Sequence, residues 1–293
     1  MQYIGVDIGG TQLRVGRMEE DGLLTFQHRE PTLEGVSSGE DLYRKILGMI
    51  RAVPGWASCA GVGIGVPGSV DPAAEEVTIA ENLRVLERLP LARRLREDLG
   101  LPVSLENDAR AAALAEAFHG RGRGFHTVCY LTVSTGLGGA VVIGGRLYTG
   151  RTNMGAYFSR MILDGKDTSD TLISGTGLLR QARARVRPDL PDLPAFFRLF
   201  AGGDPDAAAV METYRHNMTV LFMNISTTFN PDIIVLGGGV MQSREYFLED
   251  VIRAYRGWVH PLARDTLIDT AVCEEPGILG ACMAAKLAGD TPR

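Results

Sequence analysis

The sequence predicts an α/β protein assembled from two halves of similar construction, and three observations carry that prediction. Strand-like apolar runs alternate with runs of helical spacing. A strand, a glycine turn and a returning strand occur near residue 7 and again near residue 134. No low-complexity linker interrupts the chain, so short crossings should join the halves. The expected lobes are residues 1–107, closed by a C-terminal helix at 277–290, and residues 108–276.

The elements follow in order. Gln2 to Val6 reads as a strand ending at Asp7, Gly9 and Gly10 permit a tight reversal, and Leu13 to Met18 returns. Ser38 to Val53 has helical spacing at Leu42, Ile46, Leu47 and Ile50. Gly61 to Val66 is a strand closed by Pro67-Gly68. Leu91 to Leu99 is helical and stops at Gly100, with Pro102 beyond. The strand Val103 to Leu105 feeds an Ala-rich helix from Ala109 to Phe118. The pattern then restarts with strand Thr127 to Val133, a turn at Gly136, strand Ala140 to Ile143, and a hairpin through Gly144-Gly145 into Arg146 to Tyr148. Leu163 to Ser174 is polar and is expected to be irregular. A long helix from Ala207 to Phe229 ends at Asn230-Pro231. Strand Ile233 to Leu236, a helix near Tyr246 to Trp258, a strand near Leu267 to Val272 and a helix from Gly277 to Leu287 complete the chain.

Composition narrows the function. The 293 residues carry 30 Lys+Arg against 35 Asp+Glu, a net charge of −5, which argues against nucleic-acid binding by bulk charge. The basic stretch Arg84 to Arg96 is interleaved with Leu and Glu, as on a solvated amphipathic helix. The four cysteines form no C-x-x-C pair and no zinc-ligand spacing, so free thiols in a reducing compartment are expected. The first residues read as a strand rather than a cleavable leader, and no apolar run approaches the ~18 residues of a membrane span. A cytoplasmic protein is expected.

Three segments carry chemistry. In Asp7-Ile8-Gly9-Gly10-Thr11, the glycines let backbone N–H groups face an anion and Thr11 adds a hydroxyl donor. Asp7 is a candidate ligand of Mg²⁺ through water. In Ser134-Thr135-Gly136-Leu137-Gly138-Gly139 there is no P-loop lysine, and the glycines lie between strands rather than before a helix, which leaves a β-hairpin phosphate clamp. Asp108 lies where a strand turns into a helix; it can take a proton from a hydroxyl or serve as a helix N-cap, a need that Asn107 also meets. One such carboxylate and two phosphate-holding turns suit phosphoryl transfer to a hydroxyl. Gly237-Gly238-Gly239 forms a strand-to-helix turn that can also approach a flat base or ribose.

These segments, with Gly65-Val66-Pro67-Gly68, Glu81-Asn82-Leu83, Leu105-Glu106-Asn107-Asp108-Ala109 and Pro231 to Gly239, make nearly the whole chain resemble the ROK family of sugar kinases, within the actin/hexokinase/Hsp70 superfamily. The resemblance implies a two-lobed actin-like ATPase (ribonuclease H-like) fold with a central cleft for ATP and a hexose, and a homodimer. It implies that Asp108 takes the proton of the sugar 6-hydroxyl and that Gly68, Asn82 and Asn107 touch sugar. Thr11, Thr135 and Gly136 would meet the ATP phosphates, with Gly9, Gly10 and Gly138 in the same turns, and Gly238 would lie by the adenosine. Because the chain begins at the kinase core, with no helix-turn-helix ahead of it, a kinase is expected over a repressor.

Two departures qualify the resemblance. The family's Glu-x-Gly-His segment, which binds sugar and zinc, is matched by Tyr157, Phe158, Ser159 and Arg160, and the Cys-rich zinc loop after it is replaced by Leu163 to Ser174. That pattern resembles the zinc-free branch of glucokinases and β-glucoside kinases, although that branch keeps the Glu. The later sugar-contacting Glu is matched by Asp170. The family's second Asn in Glu-Asn-Asp-Ala-Asn is Arg110. The expectation is an ATP- and Mg²⁺-dependent, zinc-free hexose kinase. The alternatives are a kinase for another sugar (a β-glucoside or an N-acetylated amino sugar), with Tyr157 and Arg160 at the sugar, and a silent sugar sensor.

Overall fold

A computed structural model describes residues 1–80 and 83–289. They form two compact units, one of residues 1–123, 145–155 and 272 onward, the other of residues 124–144 and 156–271.

The first unit holds a mixed five-stranded sheet of β1 (Tyr3–Ile8), β2 (Gln12–Met18), β3 (Leu24–Pro31), β4 (Gly61–Val66) and β7 (Val103–Asn107), in the order β3-β2-β1-β4-β7. β1 and β2 form the expected antiparallel hairpin, while β1, β4 and β7 run parallel. Both β1 and β4 are buried along their full length, as parallel strands covered on both faces require. A two-stranded ribbon, β5 (Ser69–Asp71) and β6 (Glu76–Ile79), follows β4. Helix α1 (Gly39–Arg51) starts at Ser38, whose hydroxyl accepts the Asp41 amide, and buries Leu42, Ile46 and Ile50 as its spacing predicts. Helix α2 (Leu91–Leu99) ends in a left-handed Gly100. Helix α3 (Asp108–His119), which the sequence reading put with the second half, groups with the first unit. It packs there against the C-terminal helix α9 (Pro276–Gly289).

The second unit repeats the scheme. β8 (Thr127–Val133) and β9 (Leu137–Ile143) form a hairpin, β11 (Ile233–Gly237) runs parallel to β8, and β12 (Leu267–Thr270) runs parallel to β11. The two-residue β10 (Arg146–Leu147) falls in the 145–155 stretch of the first unit, and within the second unit the sheet order is β9-β8-β11-β12. Its core is closed by α4 (Ser169–Ile173), α5 (Gly175–Arg185), α6 (Leu193–Ala201), α7 (Pro205–Phe229) and α8 (Leu248–Trp258). Asp204 caps α7 and Asn230, at φ 43°, ends it. The segment expected to be irregular thus contains a short helix: Thr168 accepts the Thr171 amide and starts α4.

Cys59, Cys129 and Cys282 are buried, Cys273 is half-buried, and all four are free. Among the described residues no helix is long and apolar enough to cross a membrane.

Candidate active site

The carboxyl ends of β1, β4 and β7, where open parallel sheets present their ligand-binding residues, gather the first group. The ladder sets Arg14, Asp7, Gly65 and Glu106 in one row across four strands. Beyond that row β7 turns into α3. Asn107 keeps extended angles (φ −65°, ψ 144°) and is itself the N-cap, its Oδ1 accepting the amides of Ala109 (3.0 Å) and Arg110 (3.2 Å). Asp108 is therefore the first helical residue rather than the cap. Its Oδ1 accepts the Ala109 amide at 2.8 Å and Asn107 Nδ2 at 3.0 Å. Burial pushes its carboxyl above the ordinary range, and those two bonds oppose the shift. Asn107 Nδ2 also donates to the Gly68 carbonyl at 2.9 Å. Gly68 adopts φ 94°, and a side chain there would overlap the Ile79 carbonyl.

Asp7 is 8% exposed. Burial raises its carboxyl to about 6; the Arg14 guanidinium opposes this, and the charges of Asp108 and Glu275 add to it. Arg14 Nε lies 3.6 Å from Asp7 Oδ2, and its Nη1 lies 3.1 Å from Glu275 Oε2. Ahead of Asp7 the hairpin turn closes through Gly9 N–H to Gln12 O (2.9 Å) and is braced by Thr32, which donates its amide to Thr11 O and its hydroxyl to Gly9 O. Gly10 and Thr11 are exposed, and their amides donate to no other group among the described residues. A turn with free, outward amides suits a phosphate. No group of three or more His, Cys, Asp or Glu side chains able to hold a metal occurs among the described residues. A single carboxylate still fits Mg²⁺, which keeps most of its water and takes its other ligands from phosphates.

In the second unit, Ser134, Thr135 and Gly136 form the exposed turn between β8 and β9. It is braced by Ser134 N–H to Gly136 O (2.9 Å), Gly175 N–H to Ser134 O (2.7 Å) and Thr176 N–H to Thr135 O (3.2 Å). Asp170 Oδ1 accepts the Leu137 amide at 2.7 Å, so its carboxylate helps shape this turn. Gly138 lies inside β9, opposite Thr132. Gly238 has φ 92° against the Val133 backbone, which a side chain would overlap, so the exposed chain after β11 comes close to the end of β8. Tyr157 precedes and Arg160 ends a helical turn anchored by buried Phe158, and both are exposed.

The first unit thus brings together Asp7, Gly9, Gly10, Thr11, Gly68, Asn107 and Asp108, and the second carries Thr135, Gly136, Gly138, Tyr157, Arg160 and Gly238. Asn82 lies outside the described residues. Sequence reading missed Arg14 and Glu275. The hairpin held the signal for Arg14: once Gly9 bonds Gln12, Asp7 must oppose Arg14. Glu275 is brought in by tertiary packing alone.

Comparison with known proteins agrees with the fold. The chain is 29% identical to a glucokinase of Thermotoga maritima, covering 98% of each sequence. The crystal structure of a ROK hexokinase from Thermus thermophilus superposes with a TM-score of 0.89 at 31% identity over 99% of both chains. A ROK family glucokinase from Streptomyces griseus, solved in complex with glucose and AMPPNP, superposes with a TM-score of 0.76 at 26% identity, covering 98% of this chain and 100% of that one. The sequence profile of the ROK family matches residues 3–288, and the chain belongs to the ROK family.

Proposed function

We propose that the protein is an ATP- and Mg²⁺-dependent hexose kinase of glucokinase type, transferring the γ-phosphoryl group to the sugar 6-hydroxyl. The observation that carries this reading is the state of Asp108. It is a half-buried carboxyl of raised proton affinity, held by two hydrogen bonds at the head of α3, and its neighbour Asn107 has taken over the capping role. A carboxylate so placed can accept a hydroxyl proton as the oxygen attacks phosphorus. Gly68, Asn82 and Asn107 would hold the sugar. The amides of Gly10 and Thr11, in the turn that Gly9 closes, with Thr135, Gly136 and Gly138, would meet phosphate oxygens, and Gly238 would let adenosine lie against backbone. Asp7 would hold the waters of Mg²⁺, which supplies charge neutralisation at the phosphates.

The absence of Glu and His at Tyr157 and Arg160, and of cysteines in 163–174, supports the zinc-free branch; metal analysis of purified protein should find no stoichiometric zinc. The same exposed Tyr157 and Arg160 favour a second reading, a β-glucoside or N-acetylated amino sugar as acceptor, with those two side chains at the sugar. A coupled ADP assay over about a dozen sugars separates the two, and preference for free glucose counts against the second. The reading also carries a cytoplasmic homodimer, testable by light scattering. Asp108→Asn should lower turnover by ~10²–10⁴-fold with hexose binding retained. Near-normal turnover in that variant would remove Asp108 as the base.

A further inference from the structure

Arg110 is a buried arginine, 7% exposed, in the first turn of α3, and the kinase reading gives it no task. Its Nε lies 3.1 Å from Glu106 Oε1 without hydrogen-bond alignment, and Nη2 is buried without a hydrogen-bond partner among the described residues. Its Nη1 donates to the backbone carbonyl of Asn153 at 3.0 Å. Asn153 sits in the loop after β10, closed by Gly155 N–H to Thr149 O (2.8 Å), and adopts the left-handed φ of 61° that asparagine tolerates. Its Nδ2 donates to Val70 O at 3.1 Å. Val70 lies two residues after Gly68, whose carbonyl receives Asn107 Nδ2. Glu106 completes the circuit by accepting the Asn107 amide at 2.9 Å. Bonds and short chain stretches therefore run from Arg110 through Asn153, Val70 and Gly68 to Asn107, and back through Glu106.

We propose that Arg110 and Asn153 are positioning residues for hexose recognition, a clamp that fixes the Gly68 turn against Asn107 beside Asp108. The inference rests on the kinase reading. Neither residue touches substrate in it; each acts through the Gly68 and Asn107 groups. A salt bridge kept only for stability would need Glu106 and Arg110 but would have no use for the Asn153 amide. The circuit makes that amide the link to the sugar-side turn.

The test is steady-state kinetics of purified full-length variants, varying hexose and ATP separately. Asn153→Gly keeps the left-handed backbone and removes only the bond to Val70. Arg110→Gln breaks the clamp but strands the half-buried Glu106, so Glu106→Gln/Arg110→Gln removes both charges and keeps the amide acceptor. Expected is a rise in hexose KM of ~3–10-fold for Asn153→Gly and ~10-fold or more for the double neutral variant, with ATP KM held within ~2-fold. Arg110→Lys, which keeps the charge but not the fork, should restore thermal stability without restoring hexose KM. Arg110→Gln/Asn153→Gly should be no worse than Arg110→Gln alone, since one clamp is broken once. Hexose KM within ~2-fold of wild type in both Asn153→Gly and the double neutral variant overturns the clamp, as does a parallel rise in both KM values. Wild-type protein that neither binds nor phosphorylates any hexose overturns the kinase reading and this inference together. Wild-type turnover with unmoved variants overturns the clamp alone.

Discussion

Asp7 and Asp108 share one physical situation, a carboxyl taken out of water, and they answer it differently. Asp108 receives two local hydrogen bonds that favour its charged form, so burial is partly offset; Asp7 has only a guanidinium at 3.6 Å against burial and two neighbouring charges. If Asp108 is the base, the acid limb of kcat/KM against pH should lie above the ordinary carboxylate range, and a limb at or below pH 4 would exclude it. For Asp7 the consequence is stability. Its folded value of about 6 lies above the unfolded ~3.9, so the folded state binds the proton more tightly. Metal-free stability should then fall by roughly 3 kcal/mol as pH rises from ~4 to ~6 and stay level above. Asp7→Asn should flatten that slope in urea titrations, and an unchanged slope would mean that Asp7 ionises as it does in water. Arg110 and Asn153 belong to this scale too. Their link was invisible in sequence because 43 residues separate them and the bond goes to a backbone carbonyl, which no residue pattern encodes.

At the scale of elements, the C-terminal helix α9 lies against β1, β4 and α3 with backbone in contact with backbone. A methyl at Gly63 would overlap the Ala281 carbonyl, and one at Gly5 the Ile278 carbonyl. Gly63→Ala should destabilise by about 3 kcal/mol, because a strand or helix must move to admit it. Chemical denaturation measures this, and a change under ~0.5 kcal/mol would mean that α9 has room to shift. Elements with an apolar stripe or a continuous apolar run were legible: the spacing of α1 and the buried runs of β1, β4, β8 and β11 forced their assignment. β3 went unread because its residues are mostly exposed and pair only with β2, leaving no apolar alternation. The helices α5 and α6 were overlooked for another reason. Their starts are fixed by the side chains of Ser174 and Asp192, in a stretch whose charged and proline residues resemble loop composition. The catalytic candidates were legible because short glycine motifs and the strand-to-helix step at Asp108 are local; Asp170 bracing Leu137 and Glu275 pairing with Arg14 are products of tertiary packing.

At the scale of the whole molecule, the chain leaves the first unit and returns to it, and a buried carboxylate fastens the return within that unit. Glu116, fully buried near the end of α3, accepts the amides of Val272 (2.9 Å) and Cys273 (2.8 Å) on Oε1 and that of Arg121 (2.9 Å) on Oε2. Three donors on two acceptor oxygens leave no place for an NH₂ group. Glu116→Gln would turn one oxygen into a donor facing a donor, so it should cost about 3 kcal/mol although it removes a buried charge. The two tryptophans allow the effect to be located, since Trp56 lies in the first unit and Trp258 in the second. With Trp258→Phe as background, Trp56 fluorescence reports the first unit alone, and its urea midpoint should fall in Glu116→Gln. With Trp56→Phe as background, the Trp258 transition shows whether the second unit unfolds with the first or separately. An unmoved Trp56 midpoint would mean that water satisfies these amides as well as Glu116 does, and that the return of the chain is held by the packing of α9 alone.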